Sequence, residues 1–334
     1  MKQQNRSFIL IACSLLLGAL MPIVLKQYHL NMLTEIIIFA LFAVSYNLLL
    51  GYAGLLSFGH ALFFGFGAFT TAISTIHIPG ASLLLVVLIS AVATLVVGLI
   101  VGSLLLRHKG AYFALLTLAF NSIFYAVAVS WDAVTGGDDG LSITRPALDL
   151  GFRTISTDSI TQFYYVTLVI VGGILVYCWY FTNTAMGKTL LLMRENEERM
   201  KFLGYDTNIS RLILFAFTGT LAGIAGSMYA FNFQFVSISA ISIDMTTAVL
   251  LMTFVGGTGG LWGPILGALV YLTLQHYLSD FTDRWQIFMG LIFIGMVIFI
   301  PGGLYEMISK IGLRLAGIIK NKMIKTKGAE ERAL

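Results

Sequence analysis

The apolar residues of this chain come in runs of roughly 18 to 24, and that feature decides which solvent the fold can have. A run of such length, wound as a helix, crosses a bilayer core of about 30 Å. The composition agrees: of 334 residues, 58% are hydrophobic and 11% are charged, whereas a water-facing domain carries about 25% charge. There is too little charge here to cover a surface in water. The expected fold class is an all-α polytopic membrane protein.

About ten transmembrane helices are expected, over 8–25, 30–50, 58–77, 82–106, 111–130, 161–181, 211–233, 243–258, 263–279 and 285–301. The first run follows a short basic N-terminus (1–7) that contains Lys2 and Arg6. It is long for a signal-peptide core and no A-x-A pattern follows it, so it is read as a retained span. Residues 8–306 form the expected transmembrane domain, and 307–334 a basic tail suited to an anionic lipid surface. Even parity puts both termini on one side. With that topology, sixteen of the twenty lysines and arginines fall on the side of the termini, and only Lys26, Arg145, Arg153 and Arg284 fall opposite. The bias places both termini in the cytoplasm. It also accounts for the net charge of +4 without a nucleic-acid partner.

Two stretches are too rich in glycine to favour continuous helix, since each glycine costs about 1 kcal/mol relative to alanine. One runs from Gly51 to Ala68 (GYAGLLSFGHALFFGFGA), the other from Gly256 to Ala268 (GGTGGLWGPILGA). Broken helices of this kind line transport pathways. Gly51, Gly54, Gly59 and His60 in the first, and Gly256, Gly257, Gly259, Gly260 and Pro264 in the second, are therefore candidate pathway residues. Asn47 and Asn121 join them as polar groups at mid-span or beside a break; tight packing turns and interhelical hydrogen bonds are the plainer alternative. The shared G-x-x-G of Gly51/Gly54 and Gly256/Gly259 hints at two related halves. The GxxxG pairs Gly98/Gly102, Gly219/Gly223 and Gly263/Gly267 read as helix contacts. Glu35 and Asp244 lie near span ends, where snorkelling and helix capping explain them.

Enzyme signatures are missing. There is no HExxH, the five histidines are scattered, and Cys13 and Cys178 lack metal-ligand spacing. Gly187-Lys188-Thr189 mimics the end of a P-loop, but Thr182 stands where that motif needs glycine. The chain is expected to be non-catalytic, with no cofactor or metal of its own. The longest outer segment, 131–160, is acidic and rich in turn formers; it is either a docking surface for an external partner or a solvated loop. On the inner side, 183–210 is the sizeable segment. There Leu190, Met193, Met200 and Leu203 fall along one helical face, Glu197 interrupts that stripe, and Gly204 is placed to end the helix.

Five motifs together resemble LivM-type permeases of branched-chain amino acid ABC importers: GYAGLLSFGHALFFGFGAF, KGAYFALLTLAF (Lys109 to Phe120), TGGDDGL, RENEER (Arg194 to Arg199) and FVGGTGGLWGPILGA. The similarity covers about 35–305. It implies the ABC importer permease fold and partners: a second permease subunit, two cytoplasmic ATPases that bind ATP and Mg, and an external solute-binding protein. It also implies a bacterial inner-membrane location and import of leucine, isoleucine and valine by alternating access. Glu198 and Gly204 match the Glu and Gly of the E-A-A-x-x-x-G coupling pattern of such permeases, although Arg199 and Met200 replace its alanines. By that resemblance Arg194, Glu195, Glu197, Glu198, Arg199, Leu203 and Gly204 form the ATPase-coupling surface. Urea-type permeases look much alike, so another small solute is an open alternative. A stand-alone secondary transporter would call for a buried carboxylate cluster, and a passive channel would need no coupling helix.

Overall fold

A computed structural model describes residues 17–149, 151, 154–300, 302–308 and 310. The basic N-terminus, Cys13, Arg153, the start of the first expected span and nearly all of the basic tail lie outside the described residues.

The helices follow the apolar runs. After a helical stretch at 17–24 come α1 (Gln27–Asn47), α2 (Ala61–His77), α3 (Leu83–Leu105), α4 (Ala111–Ser130) and α5 (Ile160–Asn183). Two short helices, α6 (Ala185–Glu195) and α7 (Glu197–Phe202), precede α8 (Thr207–Phe233). Last come α9 (Ile243–Gly256), α10 (Trp262–Phe281) and α11 (Trp285–Phe299). Among the described residues five segments are long and apolar enough to cross a membrane: Gln27–Tyr52, α3, α4, α5 and α8. Helices α2, α9 and α11 are apolar but shorter.

Two compact units divide the chain at Leu250. In the first, α8 lies against α1, α2 and α3, and α1 also packs on α5. Small residues permit this closeness. A Cβ on Gly67 would strike the Gly223 backbone, one on Gly226 would strike the Phe64 carbonyl, and one on Gly98 would lie 3.0 Å from Ala216 Cα. A Cβ on Gly219 would lie 3.0 Å from the Phe63 ring and one on Gly102 2.8 Å from Leu212 and Phe215, so the first two GxxxG pairs are helix contacts. Hydroxyls lock the seams: Thr71 Oγ1 donates to Ser227 Oγ at 2.7 Å and Ser90 Oγ to the Gly67 carbonyl at 3.0 Å. Apolar bulk alone has little reason to choose one helix partner in lipid, so close backbone approach and hydrogen bonds set the arrangement.

The segment expected on the outer side, 131–160, is more ordered than a plain loop where it is described. Leu141–Ser142 pairs antiparallel with Phe235–Val236, and Leu148–Asp149 with Thr154–Ile155. Arg145 reaches beneath, donating to the carbonyls of Phe231 and Asn232 at 2.6 and 2.7 Å, with its guanidinium 4.4 Å over the Phe163 ring. A cation on the last carbonyls of α8 satisfies groups that the helix leaves open.

In the second unit α10 packs on α11. Gly263 and Gly267 sit against the backbone carbonyls of Gly257 and Met252, which makes the third GxxxG pair a contact as well. The 257–261 turn joins α9 to α10. Gly257, at φ +99°, abuts the backbone of Gly302 and Gly303.

Candidate functional site: the helix break and the segment beneath it

The first glycine-rich stretch breaks its helix as expected, in a specific way. From Leu48 to Tyr52 the α-helix widens to a π-turn, and from Gly54 the chain runs without helix until Ala61. Gly54 has φ +69°, a conformation that disfavours residues with a Cβ. The amides thus released find partners on other elements. Phe58 N donates to Thr117 Oγ1 at 3.0 Å, and Ala61 N to Thr246 Oγ1 at 3.1 Å.

His60 lies above this break and is wholly buried. Its Nε2 is 3.0 Å from Ser45 Oγ, its ring stacks on Phe42, and Tyr46 and Phe63 meet it edge-on. Nδ1 has no protein partner. Asn47 and Asn121 are also fully buried, and Asn121 Nδ2 donates to the Ile241 carbonyl at 2.9 Å. The structure therefore brings Asn47, Gly51, Gly54, Gly59 and His60 together at one break, with Asn121 bonding to the Ile238–Ile241 turn. In this conformation none of the three polar side chains faces open space. Gly256 and Pro264 are buried in the second unit, whereas Gly259 is exposed and Gly260 half-buried in its turn.

The segment below the break departs from the expected single helix. It is two helices, separated at Asn196, whose extended backbone (φ −154°) stops α6 while its Oδ1 accepts the Arg199 amide at 2.9 Å and caps α7. The apolar stripe divides with it: Leu190, Met193 and Met200 are buried, but Leu203 is 66% exposed and Phe202 90% exposed. Gly204 closes α7 at φ +86°, in the role expected of it. Glu195, Glu198 and Arg199 project outward.

Two contacts tie the pair to the spans. Arg194 Nη1 donates to the Gly51 carbonyl, and Arg194 Cγ would lie 3.1 Å from any Cβ at Gly54. The α6 helix thus ends on the π-turn itself. Glu197, rather than merely interrupting a stripe, collects three cations: Lys109 and Arg211 at 2.7 Å and Lys201 at 3.1 Å. Its side chain is 16% exposed and that of Arg211 10%. Burial alone would raise the Glu197 carboxyl, but the hydrogen bonds from Lys109, Arg211 and Lys201 outweigh it and hold the group at about 2. One carboxylate thereby joins the start of α4, α7 and the start of α8. Asp206 caps α8 separately, its Oδ1 accepting the amides of Asn208 and Ile209.

The sequence reading missed four participants. Lys109, Lys201 and Arg211 counted only as orientation charges, and Phe202 passed unremarked beside Leu203. Helical spacing signals Lys201, four residues after Glu197; nothing local signals Lys109, which lies 88 residues away.

Comparison with known proteins gives this architecture its context. Residues 28–300 match the family of branched-chain amino acid transport system permease components. The chain is 25% identical over 313 residues to the high-affinity branched-chain amino acid transport system permease protein LivM of Escherichia coli K12, covering 88% of this chain and 73% of that protein. It is 24% identical over 289 residues to a probable LivM of Methanocaldococcus jannaschii, covering 75% and 81%. An autoinducer 2 import system permease protein, LsrC of Yersinia pseudotuberculosis, is 29% identical over 140 residues, or 38% of each chain. No solved structure matches. With multiple spans, the broken helix and a family match over most of its length, the chain belongs to the branched-chain amino acid transport permease family, as a multi-pass, non-catalytic subunit of an ABC transporter.

Proposed function

We propose that this chain is the LivM-like permease subunit of a binding-protein-dependent importer for leucine, isoleucine and valine. Ten spans with both termini cytoplasmic, in a bacterial inner membrane, place α6 and α7 on the ATPase side. A paralogous second permease completes the cavity. Two ATPases hold ATP and Mg, and an external binding protein delivers solute to the opposite mouth.

One observation carries this reading: a helix pair that offers exposed Phe202 and Leu203 at its tip is bonded through Arg194 to the Gly51 carbonyl of a broken span. A tip of that kind suits a groove on a partner. Exposed Glu195, Glu198 and Arg199 give it a charged rim, and Gly204 sets where the tip ends. Closure of the ATPase pair would press on α6 and α7, and the Arg194 contact would pass that movement to the π-turn beneath Asn47 and His60. Gly256, Gly257, Gly259, Gly260 and Pro264 supply a second break on the pathway. The buried cation of the described spans, Arg211, is already paired with Glu197, so selectivity for a carboxylate solute rests mainly on the binding protein.

The test is co-expression with ATPase subunits and their recovery on the tagged permease. Wild type should recover them, and Glu198→Ala combined with Phe202→Ala and Leu203→Ala should not, because all three side chains point away from the fold. Equal recovery by both would remove the segment from the coupling role. Uptake into proteoliposomes, leucine against urea, then decides the solute. The partial likeness to an autoinducer 2 permease is the reason to include a polar solute.

A further inference from the structure

The basic end of the first unit holds more positive charge than its own acids neutralise. Lys109, Lys201 and Arg211 converge on the single carboxylate of Glu197, which leaves two charges in excess at that point. Arg107, two residues before Lys109, is exposed and makes no ion pair among the described residues. Cations drawn this close repel one another unless an anion lies among them.

Arg107, Lys109 and Lys201 border a cleft of about 580 Å³. Its lining joins Arg107, Lys109 and Lys201 to Leu106, Ile209 and Leu212, and it reaches back along α3 to Gly102, inside an apolar span. Gly102, packed against Leu212 and Phe215, forms the upper end of the cleft. The adjoining smaller cleft shares Lys201 and includes Asp206, but the Asp206 carboxylate is already engaged as the cap of α8. A free phosphate would use only the charged half of such a lining. A ligand with a phosphate at one end and hydrocarbon at the other uses both.

We propose that this cleft binds an anionic glycerophospholipid. Arg107, Lys109 and Lys201 surround the headgroup phosphate, and an acyl chain runs along Leu106, Ile209 and Leu212 toward Gly102. Basic pockets between spans at a membrane surface suit such headgroups. The inference needs the chain to lie in a membrane, and it does not depend on the ATPase docking proposed above.

The experiment uses the full chain in nanodiscs of phosphatidylcholine with rising phosphatidylglycerol, so both leaflets are identical and orientation is irrelevant. Thermal midpoints and lipid adducts in native mass spectrometry are read together. Wild type should gain stability with phosphatidylglycerol and retain one molecule of it. Arg107→Gln should weaken that retention about fivefold, the usual effect of one cation at such a surface. Because Arg107 stands outside the Glu197 cluster, its loss should leave the midpoint in pure phosphatidylcholine unchanged. Lys188→Gln, which is exposed but outside the cleft, should behave as wild type.

Four results would overturn the proposal. Equal phosphatidylglycerol retention by wild type and Arg107→Gln removes the site. An equal loss in Lys188→Gln reduces the effect to general surface charge. Displacement of the lipid by millimolar inorganic phosphate makes it a free-anion site. Loss of ATPase capture by Arg107→Gln with lipid retention intact would reassign the cleft to the ATPase.

Discussion

Glu197 and Glu198 are neighbours in sequence with opposite situations. Glu197 is enclosed by Lys109, Lys201 and Arg211, while Glu198 is exposed and without an ion pair among the described residues. Glu197→Gln leaves Arg211, already nearly buried, without its counter-charge and should cost about 2 kcal/mol of stability. Glu198→Gln should change the melting midpoint by no more than a typical surface substitution, within about 0.5 kcal/mol. The pH dependence has a definite sign. The folded carboxyl sits at about 2 against an ordinary 4.5, so its contribution is fully present above about 4.5 and is lost as pH falls toward 2. Midpoints of wild type and Glu197→Gln should therefore differ by a constant amount from pH 8 to 5 and converge below it. A gap that instead closes on raising the pH would contradict the ion cluster.

At the scale of elements, the informative places are where helices stop. Asn196 divides one expected helix in two because its side chain caps the second while its backbone is extended. Asn196→Ala should cost about 1 kcal/mol and leave the Arg199 amide without its cap, lowering amide protection over Glu197 to Gly204 in hydrogen exchange. Unchanged protection there would mean that the surrounding contacts, not the cap, hold the break. Helix contacts allow a similar contrast. Gly67→Ala would push a methyl into the Gly223 backbone, which cannot yield as a side chain does, and should destabilise by about 1–3 kcal/mol. Gly173→Ala in α5 meets nothing within 4 Å and should be neutral or slightly stabilising, because alanine is the better helix former. Comparable midpoints for the two variants in detergent would refute the close seam between α2 and α8.

For the whole molecule, the charge pattern has a spatial counterpart. Lys109, Lys201 and Arg211, assigned to one side by the parity of spans, meet at a single carboxylate. Arg145, assigned to the other, lies at the opposite end of α8 on the carbonyls of Phe231 and Asn232. The long helix between these groups, Thr207–Phe233, is the axis about which α1, α2 and α3 pack. Arg194 sets α6 on the widened turn of the first unit, so under the proposed coupling role pressure at Phe202 and Leu203 has a bonded route to the break next to His60.

Helix positions were open to sequence reading because lipid demands long apolar runs, and boundaries such as Ala111–Ser130 fall where those runs begin and end. The breaks after Gly51 and Gly256, the glycine contacts and the stop at Gly204 were legible too, since each follows from the missing Cβ. The resemblance carried by the glycine-rich and RENEER motifs named the family. What the sequence could not say is which charge meets which. Glu197 read as a flaw in an apolar stripe until folding brought Lys109 to it from 88 residues away. The Arg194 bond to Gly51 spans 143 residues and is equally invisible. Local rules act within a turn or two of helix, so they place elements and their ends. Ion clusters, clefts and the contact between α6 and the broken span depend on distant segments arriving at one place, and only the tertiary structure decides that.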